Sequence, residues 1–217
     1  MLFDGDLLKK RRASFRFKTM VHECRWNDGL YLLDDFERKS PRIPQHAWCW
    51  CIPACIENVL KFIGFSEIDQ ELLVLEYCEE YKNESLLTTS RQPIAIQGRT
   101  KDSILDLARQ CVLKNASFGS FKACTEKLCH NWGYTINFDL SMGIHAQQDY
   151  LDKARSFIQE QSPVLISANN LDGTYHISVV VGFEDEKLYF FDPALNDFRL
   201  HGLDSLVFSS DMLRLVL

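Results

Sequence analysis

Apolar residues recur at helical spacing in the first half of the chain and at strand spacing in the second. From Cys51 onward, Ala54, Cys55, Val59, Leu60, Phe62 and Ile63 fall on one helical face, and Gly64 supplies a stop. Pro53 suits the first turn of that helix, where its missing N–H costs nothing. A second amphipathic helix is predicted over residues 67–81. Residues 83–99 read as a loop, with Pro93 and Gly98. Thr100 caps a third predicted helix, whose apolar face is Ile104, Leu105, Ala108, Cys111 and Val112. Residues 121–132 form a fourth, ended by Gly133. Residues 134–140 then read as a strand and 149–161 as a helix. Three strands follow at 164–168, 175–183 and 187–192, separated by Asn169-Asn170, Asp172-Gly173 and Glu184-Asp185-Glu186. Further short strands are predicted at 198–200, 206–208 and 213–216. Helices followed by antiparallel strands make an α+β layout.

The 217 residues suit one domain, or one domain with an arm. Residues 1–40 differ from residues 41–217. They hold Lys9-Lys10-Arg11-Arg12 and the alternating Ser14-Phe15-Arg16-Phe17-Lys18, and read as an arm or edge strand packed on the domain. Interleaved acids (Asp4, Asp6, Glu23, Asp28, Asp34, Asp35) argue against a basic docking surface. A hydrophobic fraction of 46% is enough for a sizeable core, and a net charge of −6 does not point to nucleic acid. No apolar run approaches the roughly 18–20 residues of a membrane span. The acidic start, without an apolar segment after it, does not resemble a signal peptide. The expectation is a cytoplasmic protein, or one exported without an N-terminal signal. Eight cysteines in such a chain are expected to be reduced thiols.

One stretch concentrates the chemistry: Gln45-His46-Ala47-Trp48-Cys49-Trp50-Cys51-Ile52-Pro53-Ala54-Cys55. Cysteine catalysis needs a thiolate, which a helix N-terminus and a nearby imidazolium favour. Cys51 stands where the first helix begins. A developing oxyanion needs donors, and Gln45, six positions upstream, can offer its amide beside a backbone N–H. His176 opens a strongly apolar strand, where a polar ring calls for an explanation. Asp192 ends a later strand at Pro193. A hairpin with its turn near Asp185 brings the start of one strand to the end of the next, so Asp192 can orient His176.

Other readings of these residues exist. Cys49 is a rival nucleophile, and Cys55 reads as core. Asn170 or Asn196 can replace Asp192 as the orienting group. A zinc site would use His46, Cys49, Cys51 and Cys55, or Cys124, Cys129 and His130, but neither group has paired Cys-x-x-Cys spacing. Cys78, Cys111, Cys124 and Cys129 read as core. Trp48 and Trp50 either line a cleft or pack beside it.

Taken together, Gln45, Cys51 at a helix start, His176 at a strand start and the hairpin to Asp192-Pro193 resemble the papain-like bacterial peptidases that remove double-glycine leader peptides, and their stand-alone relatives. The resemblance spans roughly residues 42–197 and is dense at 45–64 and 162–194. It implies a papain-like fold, with a helical half carrying the Cys, a sheet half carrying His and Asp, and a cleft between. It implies Cys51 as nucleophile, His176 as general base and acid, Asp192 as orienting residue and Gln45 as oxyanion donor. The chain departs from the pattern at Ile52, where the family usually has Gly, and at Trp50, where a small polar or acidic residue is common. The expected function is a thiol hydrolase acting on a peptide or isopeptide bond of a polypeptide substrate, without a cofactor. The alternatives are a deamidase, transglutaminase or acyltransferase using the same groups, and a non-catalytic binding module.

Overall fold

Helix α1 (Cys51–Phe62) runs through the centre of the molecule, and almost every side chain on it is buried. The computed structural model from which this architecture is read describes residues 25–27, 30–33, 36, 42–82, 87–88, 92–169, 175–202 and 207–216. The basic stretch 9–18 and Asn170 lie outside the described residues. Helix α1 ends through Gly64, whose φ of 97° suits glycine. Gly64 N–H bonds to the Lys61 carbonyl at 3.1 Å and Phe65 N–H to the Leu60 carbonyl at 2.8 Å. Those are the two bonds of a Schellman cap.

Side-chain caps set the other helix starts, and they shift the predicted boundaries. Helix α2 (Gln70–Glu80) begins at Gln70 because the Asp69 carboxylate accepts from Leu72 N–H at 2.8 Å. Thr100 caps α3 (Lys101–Gln110), as its position predicts. Helix α3 stops before Cys111, which is extended, so Val112 lies outside the helix and is 40% exposed while Cys111 is buried. A capping box between Ser117 and Ser120 starts α4 (Phe118–Asn131) three residues earlier than the apolar pattern implies. Helix α5 (Gln147–Gln159) lies in the second half.

Within residues 83–99, read as loop, two short strands form: β3 (Leu87–Thr88) and β4 (Pro93–Ile94). With β5 (Val112–Leu113) they make a small antiparallel sheet beside the helices. The large sheet is also antiparallel. It joins β1 (Arg25–Asn27), β2 (Leu30–Leu32), β6 (Asn137–Ser141), β7 (Val164–Asn169), β8 (Tyr175–Glu184), β9 (Lys187–Asp192), β10 (Asp197–Gly202) and β11 (Val207–Val216). The neighbour order is β1-β2-β8-β7-β11-β6, with β9 on β8 and β10 on β9. The two strands predicted at 206–208 and 213–216 are one strand, β11, with a register irregularity between Phe208 and Met212. The architecture is α+β, with helices dominating the first half and the antiparallel sheet the second.

One contiguous core joins the layers. Ile56, Val59 and Leu60 of α1, Val179 and Val180 of β8, Phe191 of β9 and Leu213 of β11 are all fully buried. Trp50, just before α1, is also fully buried, and its indole N–H donates to the Ala108 carbonyl at 3.1 Å. It therefore packs as core, whereas Trp48 is 65% exposed. Trp50→Ala is expected to cost about 3–5 kcal/mol, since it removes a large core side chain and its hydrogen bond to that carbonyl. Urea unfolding of the variant beside the parent checks this.

Candidate active site

Trp50 adopts a non-helical conformation ahead of Cys51, which makes Cys51 the first residue of α1. No side chain caps this end. The backbone N–H groups of the first turn lack intrahelical partners, so the positive end of the helix dipole falls beside the thiol. One turn on, Cys55 Sγ donates to the Ile177 carbonyl at 3.4 Å. That contact seats the Cys51–Cys55 face of α1 against β8 at the point where His176 precedes Ile177.

The His176 ring bonds to Asp192 and lies near enough to Cys51 for the two side chains to interact electrostatically. Its Nε2 lies 2.6 Å from Asp192 Oδ1. The same Oδ1 accepts the backbone N–H of Ala194 at 2.8 Å and of Leu195 at 3.4 Å. Asp192 is thus a buried carboxylate held by three donors. Burial opposes its charge, but the hydrogen bond and charge of His176 and the two backbone donors outweigh it and lower its pKa. Burial likewise opposes charge on His176. The hydrogen bond and charge of Asp192, together with the influence of Cys51, prevail and push its pKa from 6.5 up to about 9.

The geometry of this pair depends on a β-bulge. Next to the turn, β8 and β9 pair Phe183 with Leu188 and Gly182 with Tyr189. Beyond a register shift they pair Val180 with Phe190 and Val179 with Phe191. Continuing the second register puts Asp192 opposite Ser178, on the sheet face of His176 and diagonal to it. The first register would put Asp192 opposite Val179, on the other face. One extra residue, Val181, therefore places the carboxylate on the histidine's side of the sheet. Its carbonyl accepts from Leu33 N–H at 2.8 Å, just after β2. Gly182 inside an apolar strand was the local sign of this bulge.

Gln45 lies on the segment leading into α1. Its backbone N–H donates to the Pro193 carbonyl at 3.0 Å, which joins this segment to the residue after Asp192. Its Nε2 donates to the Trp48 carbonyl at 3.1 Å on the exposed side, leaving a second N–H on that nitrogen. Its Oε1 is buried without a hydrogen-bond partner.

A family model, the Peptidase_C39 like family, matches residues 38–200, and that span contains all four groups. The chain belongs to this family. It is a C39-type papain-like chain, and its function is of the cysteine-peptidase type. No curated protein matches it in sequence. Its fold is similar to the crystal structure of a candidate C39-like peptidase from Bacillus anthracis, at a TM-score of 0.51 and 14% identity. That match covers 82% of this chain and 94% of the other. Among the described residues no helix is long and apolar enough to cross a membrane.

Among the described residues of this C39-like chain, no other cysteine hydrogen-bonds to His176 or Asp192. Cys49 points toward the helical half, where Sγ donates to the Cys111 carbonyl at 2.9 Å, and burial pushes its thiol up to about 11. Burial raises the Cys55 thiol well above its ordinary value. Cys78, Cys111, Cys124 and Cys129 are buried, and no described cysteine is in a disulfide. Cys49, Cys51 and Cys55 thus engage three different partners rather than converging. Among the described residues, no group of three or more His, Cys, Asp or Glu is placed to hold a metal. Asn196 occupies the turn before β10 with φ 53°, while Asp192 makes the contact to the ring. Ile52, the departure from the family's glycine, is buried in the core beside Cys51.

Proposed function

We propose that this C39-like chain is a thiol hydrolase that cleaves a peptide or isopeptide bond in a polypeptide substrate, with Cys51 as nucleophile. The observation that carries the reading is the His176 ring bonded to the Asp192 carboxylate at 2.6 Å, with Cys51, the first residue of α1, close enough to influence the ring's charge. With the proton on His176, the Cys51 thiolate attacks the carbonyl carbon. The carbonyl oxygen gains negative charge, which the Cys51 backbone N–H and the free N–H of Gln45 stabilise. The C–N bond breaks as His176 gives its proton to the leaving amine. Water then attacks the thioester and gives a proton to His176. The acid is released and the thiolate–imidazolium pair returns. Asp192 keeps the ring oriented and favours its charged form throughout. Nothing in this sequence of steps calls for a cofactor.

Intact-protein mass spectrometry after reaction with an epoxysuccinyl cysteine-peptidase inhibitor at pH 7 tests the nucleophile. The expected result is one adduct that persists in Cys49→Ala and disappears in Cys51→Ala. An adduct that survives Cys51→Ala would sink the assignment. Product masses from a polypeptide substrate identify the bond: two fragments mean hydrolysis of the chain, and a gain of about one dalton without cleavage means deamidation.

A further inference from the structure

Two buried amide side chains outside the site grip the backbone on either side of Gln45. Asn58, two turns along α1 from Cys51, accepts Ile43 N–H at 3.0 Å through Oδ1 and donates to the Ile43 carbonyl at 2.9 Å through Nδ2. Gln70, the first residue of α2, accepts His46 N–H at 2.9 Å through Oε1 and donates to the Pro44 carbonyl at 3.0 Å through Nε2. Both side chains are fully buried. The backbone of residues 43, 44 and 46 is therefore bonded to protein side chains, and residue 45 is tied to Pro193.

The orientation of each amide is set by its partners. Glu57 is buried, and its Oε2 accepts from Gln70 Nε2 at 2.8 Å while its Oε1 pairs with Lys61 at 2.5 Å. A carboxylate only accepts, so the nitrogen of Gln70 must face it, and the oxygen must face His46 N–H. Asn58 Nδ2 likewise donates to the Ala54 carbonyl at 2.9 Å, so its oxygen must face Ile43 N–H. A flipped amide would place like groups together at either position. Buried polar networks that satisfy every member hold one geometry.

We propose that Asn58 and Gln70 are positioning residues for the oxyanion site: they lock the segment 43–46 so that the Gln45 amide is held in place relative to Cys51. Glu57 sets the orientation of Gln70. The inference rests on the proposed role of Gln45. Such a clamp matters because an error of about 1 Å in a catalytic donor can slow a reaction by roughly a hundred-fold.

The test compares two reactions of the same thiol. Hydrolysis of 4-nitrophenyl acetate passes through a tetrahedral oxyanion, whereas alkylation by chloroacetamide displaces chloride from carbon and forms none. Acylation rates are corrected with Cys51→Ala. In Gln70→Met and, as a smaller change, Asn58→Ser, acylation is expected to slow about ten- to a hundred-fold while Cys51 alkylation stays within about two-fold of the parent. Adding Gln45→Ala to either variant should cause little further loss. Unchanged acylation in either variant overturns the proposal, as does full additivity with Gln45→Ala. Alkylation that falls in parallel with acylation also overturns it, because the damage is then general. If Gln45→Ala alone acylates like the parent, the clamp and the Gln45 role fail together. Inhibitor labelling at Cys51 still reports separately on the thiol-hydrolase reading.

Discussion

Cys51→Ala is expected to lower kcat/KM for peptide cleavage by about a thousand-fold or more, leaving only what binding and oxyanion donors supply without a nucleophile. The loss should not come from unfolding. Cys51 is half-buried at the first position of α1, and alanine suits a helix, so stability should change by less than about 1 kcal/mol. Urea unfolding beside the kinetic assay separates the two causes. Cys49→Ala is the matched control: its thiol bonds to the Cys111 carbonyl, away from His176, and is held protonated up to about 11. Retention of turnover in Cys51→Ala, or its loss in Cys49→Ala, would move the nucleophile elsewhere.

Asp192→Asn should move the alkaline limb of kcat/KM downward. In the parent, the raised His176 pKa keeps the imidazolium until pH passes about 9, so the limb is expected there. Asparagine can still accept the ring N–H but carries no charge. The charge that opposes burial is then reduced, so the limb should fall below about 9 and activity at pH 8 should drop relative to that at pH 6. The same pair affects stability. The raised pKa of His176 stabilises the fold fully below its ordinary value of 6.5, and that contribution is lost as pH rises through about 9. The lowered pKa of Asp192 stabilises the fold above the ordinary carboxylate range, and its contribution is lost as pH falls through the lowered value. The pair is therefore worth most between those limits. Urea midpoints of parent and Asp192→Asn across pH 3–10 should differ most between about pH 4 and 6.5, where both contributions are complete, and converge toward both ends. A limb unmoved by the substitution would remove Asp192 from control of the ring.

The α+β class, the start of α1 at Cys51 and the β8–β9 hairpin with its turn at Asp185 were all legible along the chain. Each depends on neighbours a few residues apart: an apolar stripe of period 3.6, Gly64 as a stop, an Asp185-Glu186 turn between apolar strands. Helix boundaries drifted where a cap lay outside the apolar stripe, as with Asp69 before α2 and Ser117 before α4. The polar residues Glu57 and Asn58 inside an otherwise apolar helix were visible but unexplained, because their partners lie up to 15 residues away.

The contact between His176 and Asp192 is of a different kind. A regular hairpin from the turn at Asp185 would put Asp192 on the wrong face, and spacing alone does not reveal the mismatch. Side chains alternate with a period of two, so one unpaired residue reverses the face of everything beyond it. Val181 is that residue, and the strand partner that meets its carbonyl comes from residues about 150 positions earlier, at Leu33. Local pattern sufficed for what short-range hydrogen bonding and burial dictate. The face on which Asp192 meets His176, and the clamp around Gln45, depend on hydrogen bonds between segments distant in the chain, and only the folded arrangement supplies those.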